Sequence, residues 1–465
     1  MRWSLVLQRL KLVPFLLNLA GCAAGAANAQ SGAQQHECSI VLESSQVAAA
    51  RRAVPAETRR SPRSRLVVNA EMPLAPLTRT LEARIQTRLG EGRVRIGPGG
   101  TVSYSAERGA LSLSVSGNAL RIETPVRARA EACRGDDCYA SCAPEALVRA
   151  EVPLLLTPDY RFEKATVSVR FTRGCQVRAL GGLLTLDVTP TLEAQLAPQL
   201  DRVAQEIDQQ IPDIRAEIQK AWSALSTARE LPISGCFVLE PLGVVQGPIA
   251  DSTQVLSARF ALLATPELRA VCGEPPPSNP LPPLQRDLAL PEAGVLQLAM
   301  VMPLASLARA FESAGRLSSS GKQLRVARAN VTARGADVDA ELTLAGEVCG
   351  DVAFGASLDF NGDGQLIGLT RARLADRERA RLKDAGLEPD SLLRALAASS
   401  HVMPLLSVRA FRDQAPTLAA RLSQPTVEVS ATVTAARAAG ASARGDDLVA
   451  WLEADGAVWL RLKNP

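Results

Sequence analysis

Few side chains in this sequence could carry out catalysis. The 465 residues include only two histidines, His36 and His401. A Ser-His-Asp triad needs a histidine on the folded body, which leaves His401, and no Gly-x-Ser-x-Gly motif accompanies it. Two histidines are also too few for a histidine-rich zinc site. We therefore expect a protein that is not an enzyme.

Two further segments have the composition of a metal site. Residues 359–364 (Asp-Phe-Asn-Gly-Asp-Gly) begin like an EF-hand loop, but the twelfth position is Thr370, where calcium requires a bidentate Glu. An Asn- and Gly-rich hairpin turn explains this segment better. The spacing of Cys133, Cys138 and Cys142 lacks the paired C-x-x-C of zinc ribbons. The sequence predicts no metal and no cofactor.

Residues 1–29 have the pattern of an export signal. A positively charged start precedes an apolar run that is too short to span a bilayer. The run ends in Leu-Ala-Gly-Cys, which resembles the bacterial lipobox, so we expect Cys22 to be acylated and to anchor the chain at a membrane. Cleavage after Ala29 is the alternative. We expect an exported protein at the periplasmic face of the envelope, as an outer-membrane lipoprotein or, in the alternative, soluble in the periplasm or secreted.

The remaining cysteines favour disulfides. The chain has nine cysteines, and setting Cys22 aside leaves an even set, which suits an oxidising compartment. Their pairing cannot be deduced from the sequence. The disulfide candidates are Cys38, Cys133, Cys138, Cys142, Cys175, Cys236, Cys272 and Cys349.

The overall composition argues against nucleic-acid binding. The net charge is only +4, and aromatic residues make up 3% of the chain. A small net charge gives little attraction to phosphates, and few aromatic rings leave little surface for base stacking. We therefore expect no nucleic-acid partner.

The elements of the chain are predicted to occur twice. Residues 72–82 (MPLAPLTRTLE) return as residues 302–312 (MPLASLARAFE), at an offset of about 230 residues. Both copies follow a strand-like segment and open an amphipathic helix, and alternating apolar segments after each helix predict antiparallel sheet. Apolar spacing also predicts a long helix over residues 192–225, kinked or broken at Pro198 and Pro212, and the chain should close with a hairpin that turns at Asp455–Gly456.

We therefore expect an α+β fold of two tandem domains, each with a long helix wrapped by a strongly curved antiparallel β-sheet. A Pro-rich stretch would separate them. The expected segments are the signal peptide (1–29), an exposed lead (30–64), the first domain (65–272), the linker (273–285) and the second domain (286–465).

The chain resembles the tubular lipid-binding (TULIP) superfamily, to which the bactericidal/permeability-increasing proteins belong. It resembles more narrowly the bacterial domain-of-unknown-function 4403 family. The resemblance rests on the repeated Met-Pro-Leu segment, on residues 222–241 and on the stretch 273–284, and it covers nearly all of the mature chain. The loop around Cys133 to Cys142 looks like an insertion, so the resemblance does not determine the shape of the first tunnel's mouth.

This resemblance implies apolar tunnels that hold the acyl chains of membrane lipids, and hence an envelope lipid carrier. The alternative is a structural or adaptor lipoprotein whose domains are filled by side chains and whose partners are proteins that the sequence does not identify. The apolar stripes of the two repeated helices are either tunnel lining or ordinary core. The candidate lining residues are Leu74, Leu77, Leu81, Ile85, Leu304, Leu307 and Phe311.

Overall fold

The computed structural model describes residues 38–42, 63–96, 100–134, 137–179, 184–187, 189–210, 213–230, 235–273, 279–421, 423, 425 and 427–463. The predicted export signal, Ala29 and Cys22 lie outside the described residues. Within these residues the fold is α+β, as the sequence predicts. The helices are α1 (Leu74–Arg84), α2 (Thr189–Gln210), α3 (Arg215–Leu225), α4 (Ala305–Ser313), α5 (Asp376–Asp384), α6 (Pro389–Ser399) and α7 (Val408–Arg421).

Three large sheets make up most of the structure. The central sheet has eight strands: β2 (Ser64–Pro73), β12 (Arg229–Glu230), β13 (Cys236–Ala250), β14 (Val255–Arg269), β15 (Gln285–Arg286), β16 (Gly294–Pro303), β22 (Val427–Arg444) and β23 (Asp447–Leu462). Its strands come from both ends of the chain, because β2 pairs with β14 and also, in parallel, with β23.

The first sheet has seven strands and lies entirely between α1 and α2 in the sequence. These strands are β3 (Arg88–Ile96), β4 (Gly100–Arg108), β5 (Ser112–Ser116), β6 (Ala119–Arg134), β7 (Asp137–Cys142), β8 (Glu145–Pro153) and β9 (Thr166–Arg173). All its pairings are antiparallel, and the long strand β6 pairs with β4, β5, β7 and β8. A two-stranded hairpin, β10 (Gln176–Ala179) with β11 (Leu184–Asp187), precedes α2.

The second sheet has six strands and follows α4 in the sequence, apart from one strand near the N-terminus. Its members are β1 (Ile40–Val41), β17 (Leu317–Ser319), β18 (Lys322–Arg334), β19 (Asp337–Gly346), β20 (Val348–Phe360) and β21 (Ile367–Arg373). The predicted turn at residues 359–364 is confirmed, since it joins the antiparallel strands β20 and β21 and the Asn361 side chain accepts from Gln365 N–H.

The pairing in one part of the central sheet is repeated in the other. If Pro73 is matched with Pro303 and Val255 with Asp447, the ladder of β2 with β14 coincides residue by residue with that of β16 with β23. Under the same matching, the parallel pair of Asn69 with Trp459 corresponds to the parallel pair of Ala299 with Glu267. The two register shifts of β13 with β14 also recur at the corresponding places of β22 with β23.

The start of each repeated helix is also held in the same way. Pro73 and Pro303 end their strands, and the next residue donates its backbone N–H across the sheet. Leu74 N–H donates to Gln254 O, and Leu304 N–H donates to Asp446 O, both at 2.8 Å. Under the matching above, Gln254 and Asp446 are equivalent positions.

One detail of the sequence prediction is wrong. The predicted hairpin at Asp455–Gly456 does not form, because β23 runs without interruption from Asp447 to Leu462, and its hairpin with β22 turns at Gly445–Asp446. The predicted break of the long helix near Pro212 is confirmed, since α2 ends at Gln210 and α3 begins at Arg215, whereas α2 continues through Pro198. Within the part of the chain that the structure describes, no helix has the length and apolar character needed to cross a membrane.

Candidate lipid-binding face

The predicted lining residues of the first repeat lie along α1 with increasing exposure. Leu74 and Leu77 are buried, Leu81 is half-buried, and Ile85 at the end of the helix is 39% exposed. The buried end packs with Leu111, Leu113, Val115 and Ile249 in a small core cluster. The exposed end therefore reaches the limit of this core, and Leu89 of β3 beyond it is exposed as well.

The predicted lining residues of the second repeat lie inside a large core. Leu304, Leu307 and Phe311 are 3%, 0% and 0% exposed. The ring of Phe311 meets that of Phe354 edge to face, with centroids 6.3 Å apart. Their role as tunnel lining stays a prediction, and their surroundings are side chains of the second sheet and its helices.

Alternation explains why the second sheet is filled. Val338, Ala340, Leu342 and Leu344 of β19 point to one face, and each is at most 1% exposed. The same face of β20 carries five more buried residues, and α5, α6 and the loop after α6 add buried leucines and valine. The space on this face is therefore occupied by the chain itself.

The corresponding alternation in the first sheet gives an apolar face that no core cluster of the described residues covers. Register pairs align Ala106 with Ala128, Tyr104 with Ala130, and Val148 with Val169. Except for the exposed Tyr104, these side chains are half-buried, and none belongs to a hydrophobic core cluster among the described residues. We call this the open face; it comprises Val102, Tyr104, Ala106, Val126, Ala128, Ala130, Ala132, Val148, Val169 and Phe171.

The open face lies beyond the small core on the same strand. Leu120 and Ile122 at the start of β6 pack against the cluster around α1, whereas Val126 and the three alanines after it do not. Side chains two residues apart on a strand share a face. Thr124, which donates to Gly109 O, lies between Ile122 and Val126, and the apolar strip of β6 resumes beyond it without belonging to any core cluster of the described residues.

Arg108 marks the boundary between the small core and the open face. It pairs with Val126, and its side chain is only 4% exposed. Its Nη1 donates to Glu82 Oε2 at 2.6 Å, while Nε and Nη2 donate to the carbonyl oxygens of Gln86, Glu82 and Ile85 at the end of α1. A guanidinium at a helix C-terminus satisfies carbonyls that have no partner within the helix.

Glu82 completes this boundary. Its second oxygen accepts the backbone N–H of Leu111, and these hydrogen bonds, with the nearby Arg108, lower the pKa of the Glu82 carboxyl. Glu82 is one of the identical positions of the repeat, and Glu312 likewise accepts a backbone N–H, that of Ala329, at 2.9 Å. The sequence repeat therefore preserves a helix-to-strand hydrogen bond.

Helix α2 runs beside the edge strand β9 and is tied at both ends. Near its start, Thr189 Oγ1 accepts from Cys175 N–H at 2.9 Å; near its end, Asp208 Oδ1 accepts from Ala165 N–H at 2.8 Å. Between these ties, Leu196 and Val203 are exposed. Large apolar side chains thus stand uncovered on the helix that borders the sheet.

The predicted disulfides are confirmed. All eight candidates are paired, as Cys38–Cys349, Cys133–Cys138, Cys142–Cys175 and Cys236–Cys272. The loop around Cys133 that looks like an insertion in the sequence is the hairpin of β6 with β7. Four disulfides are typical of an extracellular or periplasmic protein.

The opposite side of the first sheet is polar. Arg149 pairs with Glu123 at 2.6 Å and Arg121 with Glu151 at 3.0 Å. A shallow groove of about 390 Å³ lies at β3, β4 and β6, lined by Glu91, Gly92, Arg93, Ser103, Tyr104, Ser105, Arg129 and Glu131. No group of three or more His, Cys, Asp or Glu side chains suited to a metal occurs among the described residues.

The fold is that of an α+β protein with three large sheets, in which one apolar face of the first sheet has no covering core cluster among the described residues. The family model of a domain of unknown function, DUF4403, matches residues 62–462. The chain belongs to this family, as the resemblance in the sequence implies. No curated protein matches the chain.

One solved structure to which the chain is similar is described as the crystal structure of lipopolysaccharide binding protein. The two share 15% sequence identity, and the match covers 84% of this chain and 95% of that one, with a TM-score of 0.20.

Proposed function

We propose that this protein is an exported lipid-binding protein that holds acyl chains of membrane lipids against the open face. The observation that carries the proposal is the apolar strip of β6 from Val126 to Ala132, beyond the core that α1 fills. Each buried methylene of an acyl chain contributes about 0.8 kcal/mol, so even partial cover by the open face and α2 would retain a long chain. No covalent chemistry is part of the proposal.

The finer features of the fold are part of this proposal. The matched registers in the central sheet and the equivalent bonds of Leu74 and Leu304 support two tandem copies of one tubular lipid-binding domain. In the proposal, the first copy keeps room for ligand on the open face, while in the second copy the residues around Phe311 fill the space. An acylated Cys22 would hold the protein at the periplasmic side of the envelope, as an outer-membrane lipoprotein close to its membrane ligand.

The alternative function is that of a structural or adaptor lipoprotein that acts through protein contacts. The observation that favours it is the filled second sheet, where Leu307 and Phe311 are fully buried among side chains. If the open face were covered by a protein partner, the chain would hold no lipid. The two functions therefore differ in what co-purifies with the chain.

Native mass spectrometry of residues 30–465, made with oxidative folding, tests the proposal. We expect near-stoichiometric lipid, which organic extraction and lipid analysis would identify. A clean protein mass, repeated after incubation with envelope lipids, would reject lipid binding and favour the adaptor.

Two neighbouring residues of β6 provide a matched pair of variants. Ala128→Phe places a ring on the open face, and we expect it to reduce bound lipid several-fold. Arg129→Phe places the same ring on the polar side of the same strand and should leave the lipid content unchanged. Equal lipid content in the two folded variants would show that the ligand lies elsewhere.

A further inference from the structure

The N-terminal segment of the described chain is fastened to the second sheet rather than to the nearby central sheet. Strand β1 pairs in parallel with the start of β20, with Ile40 N–H donating to Glu347 O at 3.0 Å and Leu42 N–H to Cys349 O at 2.7 Å. It occupies the stretch of β20 that β21 does not reach, since β21 pairs only from Gly355 onward.

Three features make this attachment strong. Cys38 forms a disulfide with Cys349 across 311 positions of sequence. Leu42 is 4% exposed and belongs to the core of the second sheet. Its backbone and Cβ lie so close to Gly350, whose φ is +135°, that a side chain there would collide with it. We call residues 38–42 the strap.

The strap changes where a tether at the N-terminus acts. About 16 residues separate Cys22 from Cys38, and about 42 separate it from Ser64, where the central sheet begins. A chain can reach at most about 3.4 Å per residue, so 16 residues reach no farther than about 55 Å, whereas 42 residues could reach about 145 Å. The strap shortens the tether and shifts its attachment to the second sheet.

We propose that the strap orients the anchored protein, with the second sheet held near the anchoring bilayer and the open face of the first sheet held farther away. The inference rests on the proposed acylation of Cys22. In this orientation the filled second sheet attaches the protein to its membrane anchor. The open face can then exchange lipid at a distance from the anchor.

The test uses the full mature chain, acylated at Cys22 and reconstituted in phosphatidylethanolamine–phosphatidylglycerol vesicles that carry an energy-transfer acceptor on their head groups. A donor dye is placed, through a non-natural amino acid, at Arg325 of the second sheet or at Arg170 of the first. Both are exposed arginines on strands. We expect transfer from position 325 to exceed that from position 170 at least twofold.

Removing the strap should abolish this difference. In the variant Cys38→Ser, Cys349→Ser, Leu42→Asp we expect the two efficiencies to converge, with unfolding checked by circular dichroism. A second measurement leaves the strap intact: a protease site inserted between residues 43 and 62 is cut on the vesicles. The body should then remain bound until the disulfide is reduced and the strap dissociates.

Failure of the anchor and failure of the orientation give different results. A protein that lacks the acyl mass at Cys22 and does not float with the vesicles would overturn both. A protein that floats but shows equal transfer from the two positions, or whose body is released by the cut alone, would overturn the orientation and leave the anchor standing.

Discussion

Gly294 of β16 and Gly456 of β23 face each other as a direct pair in the antiparallel ladder of the central sheet. A Cβ at Gly294 would overlap the carbonyl oxygen of Arg65 in β2, and a Cβ at Gly456 would overlap that of Thr432 in β22. Four strands therefore come close at one place, and glycine is needed there for backbone approach rather than for a turn.

The first prediction concerns the close approach of the β22 backbone to Gly456. Gly456→Ala should destabilise the protein by about 1–3 kcal/mol, because the backbone of β22 must move to admit a methyl group. Gly362→Ala is the control, since nothing lies within 4 Å of its added Cβ, and its effect should stay within about 0.5 kcal/mol. Urea unfolding of both variants measures the difference; equal midpoints would contradict the close approach.

The same residue shows why part of the fold was not predictable from the sequence. Asp-Gly between alternating apolar residues is a strong local signal for a hairpin, and at Asp455–Gly456 it is wrong. The reason is non-local: the carbonyl of Thr432 excludes any side chain at position 456. The repeated Met-Pro-Leu segments, in contrast, predicted two strand-to-helix junctions correctly, because the signal there is the duplication itself.

Arg108 provides the second prediction. Arg108→Ala should cost about 1–3 kcal/mol, because it removes the donor to Glu82 Oε2 and to the last carbonyls of α1. Arg127→Ala, on the same sheet, removes an exposed ion pair of 3.9 Å with Glu145 and should cost at most about 0.5 kcal/mol. Chemical denaturation measures the loss of unfolding free energy in each variant. Similar losses in the two variants would show that the Arg108 hydrogen bonds stabilise the protein no more than the exposed ion pair does.

The third prediction is a pH dependence at Glu82. Its hydrogen bonds from Leu111 and Arg108 hold its pKa below the ordinary 4.5 in the folded protein. A lowered folded pKa stabilises the protein above the unfolded value, and this stabilisation disappears as the pH falls through the folded pKa. The stability difference between the native protein and Glu82→Gln should therefore be greatest near neutral pH and shrink below pH 4.5.

Thermal unfolding of the native protein and of Glu82→Gln, from neutral pH to below pH 4.5, measures this stability difference. Glu107→Gln is the control, since Glu107 is an exposed glutamate on β4, next to Arg108. A difference between the native protein and Glu82→Gln that stays constant down to strongly acidic pH would contradict a lowered pKa.

The fourth prediction distinguishes core from lining at Phe311. Phe311→Ala should destabilise the protein by about 3–5 kcal/mol and leave bound lipid unchanged, because the ring packs on Phe354 within a filled core. Met403→Ala removes a side chain that is 77% exposed and should change neither property. Loss of lipid from a folded Phe311→Ala protein would place ligand beside the second sheet, as the sequence predicts.

The candidate site was only partly predictable. Apolar spacing on a helix identifies Leu77 and Ile85 equally well, and it gives no measure of how much room lies beyond each residue. The open face carries a weaker signal: Val126, Ala128, Ala130 and Ala132 alternate with charged residues, which indicates an apolar sheet face. That no core cluster of the described residues covers this face depends on α1 ending beside Arg108 of β4, and this follows only from the three-dimensional structure.

The parallel pairing of β2 with β23 has a consequence for how the chain is made. Arg461 donates to Glu71 across 390 positions, so the first long strand obtains one of its neighbours only when the last strand is present. A contact of such sequence separation carries a large entropic cost and forms late. The central sheet cannot close while the C-terminus is still being synthesised or translocated, and the exposed strand edges must stay protected from aggregation until the whole chain has arrived.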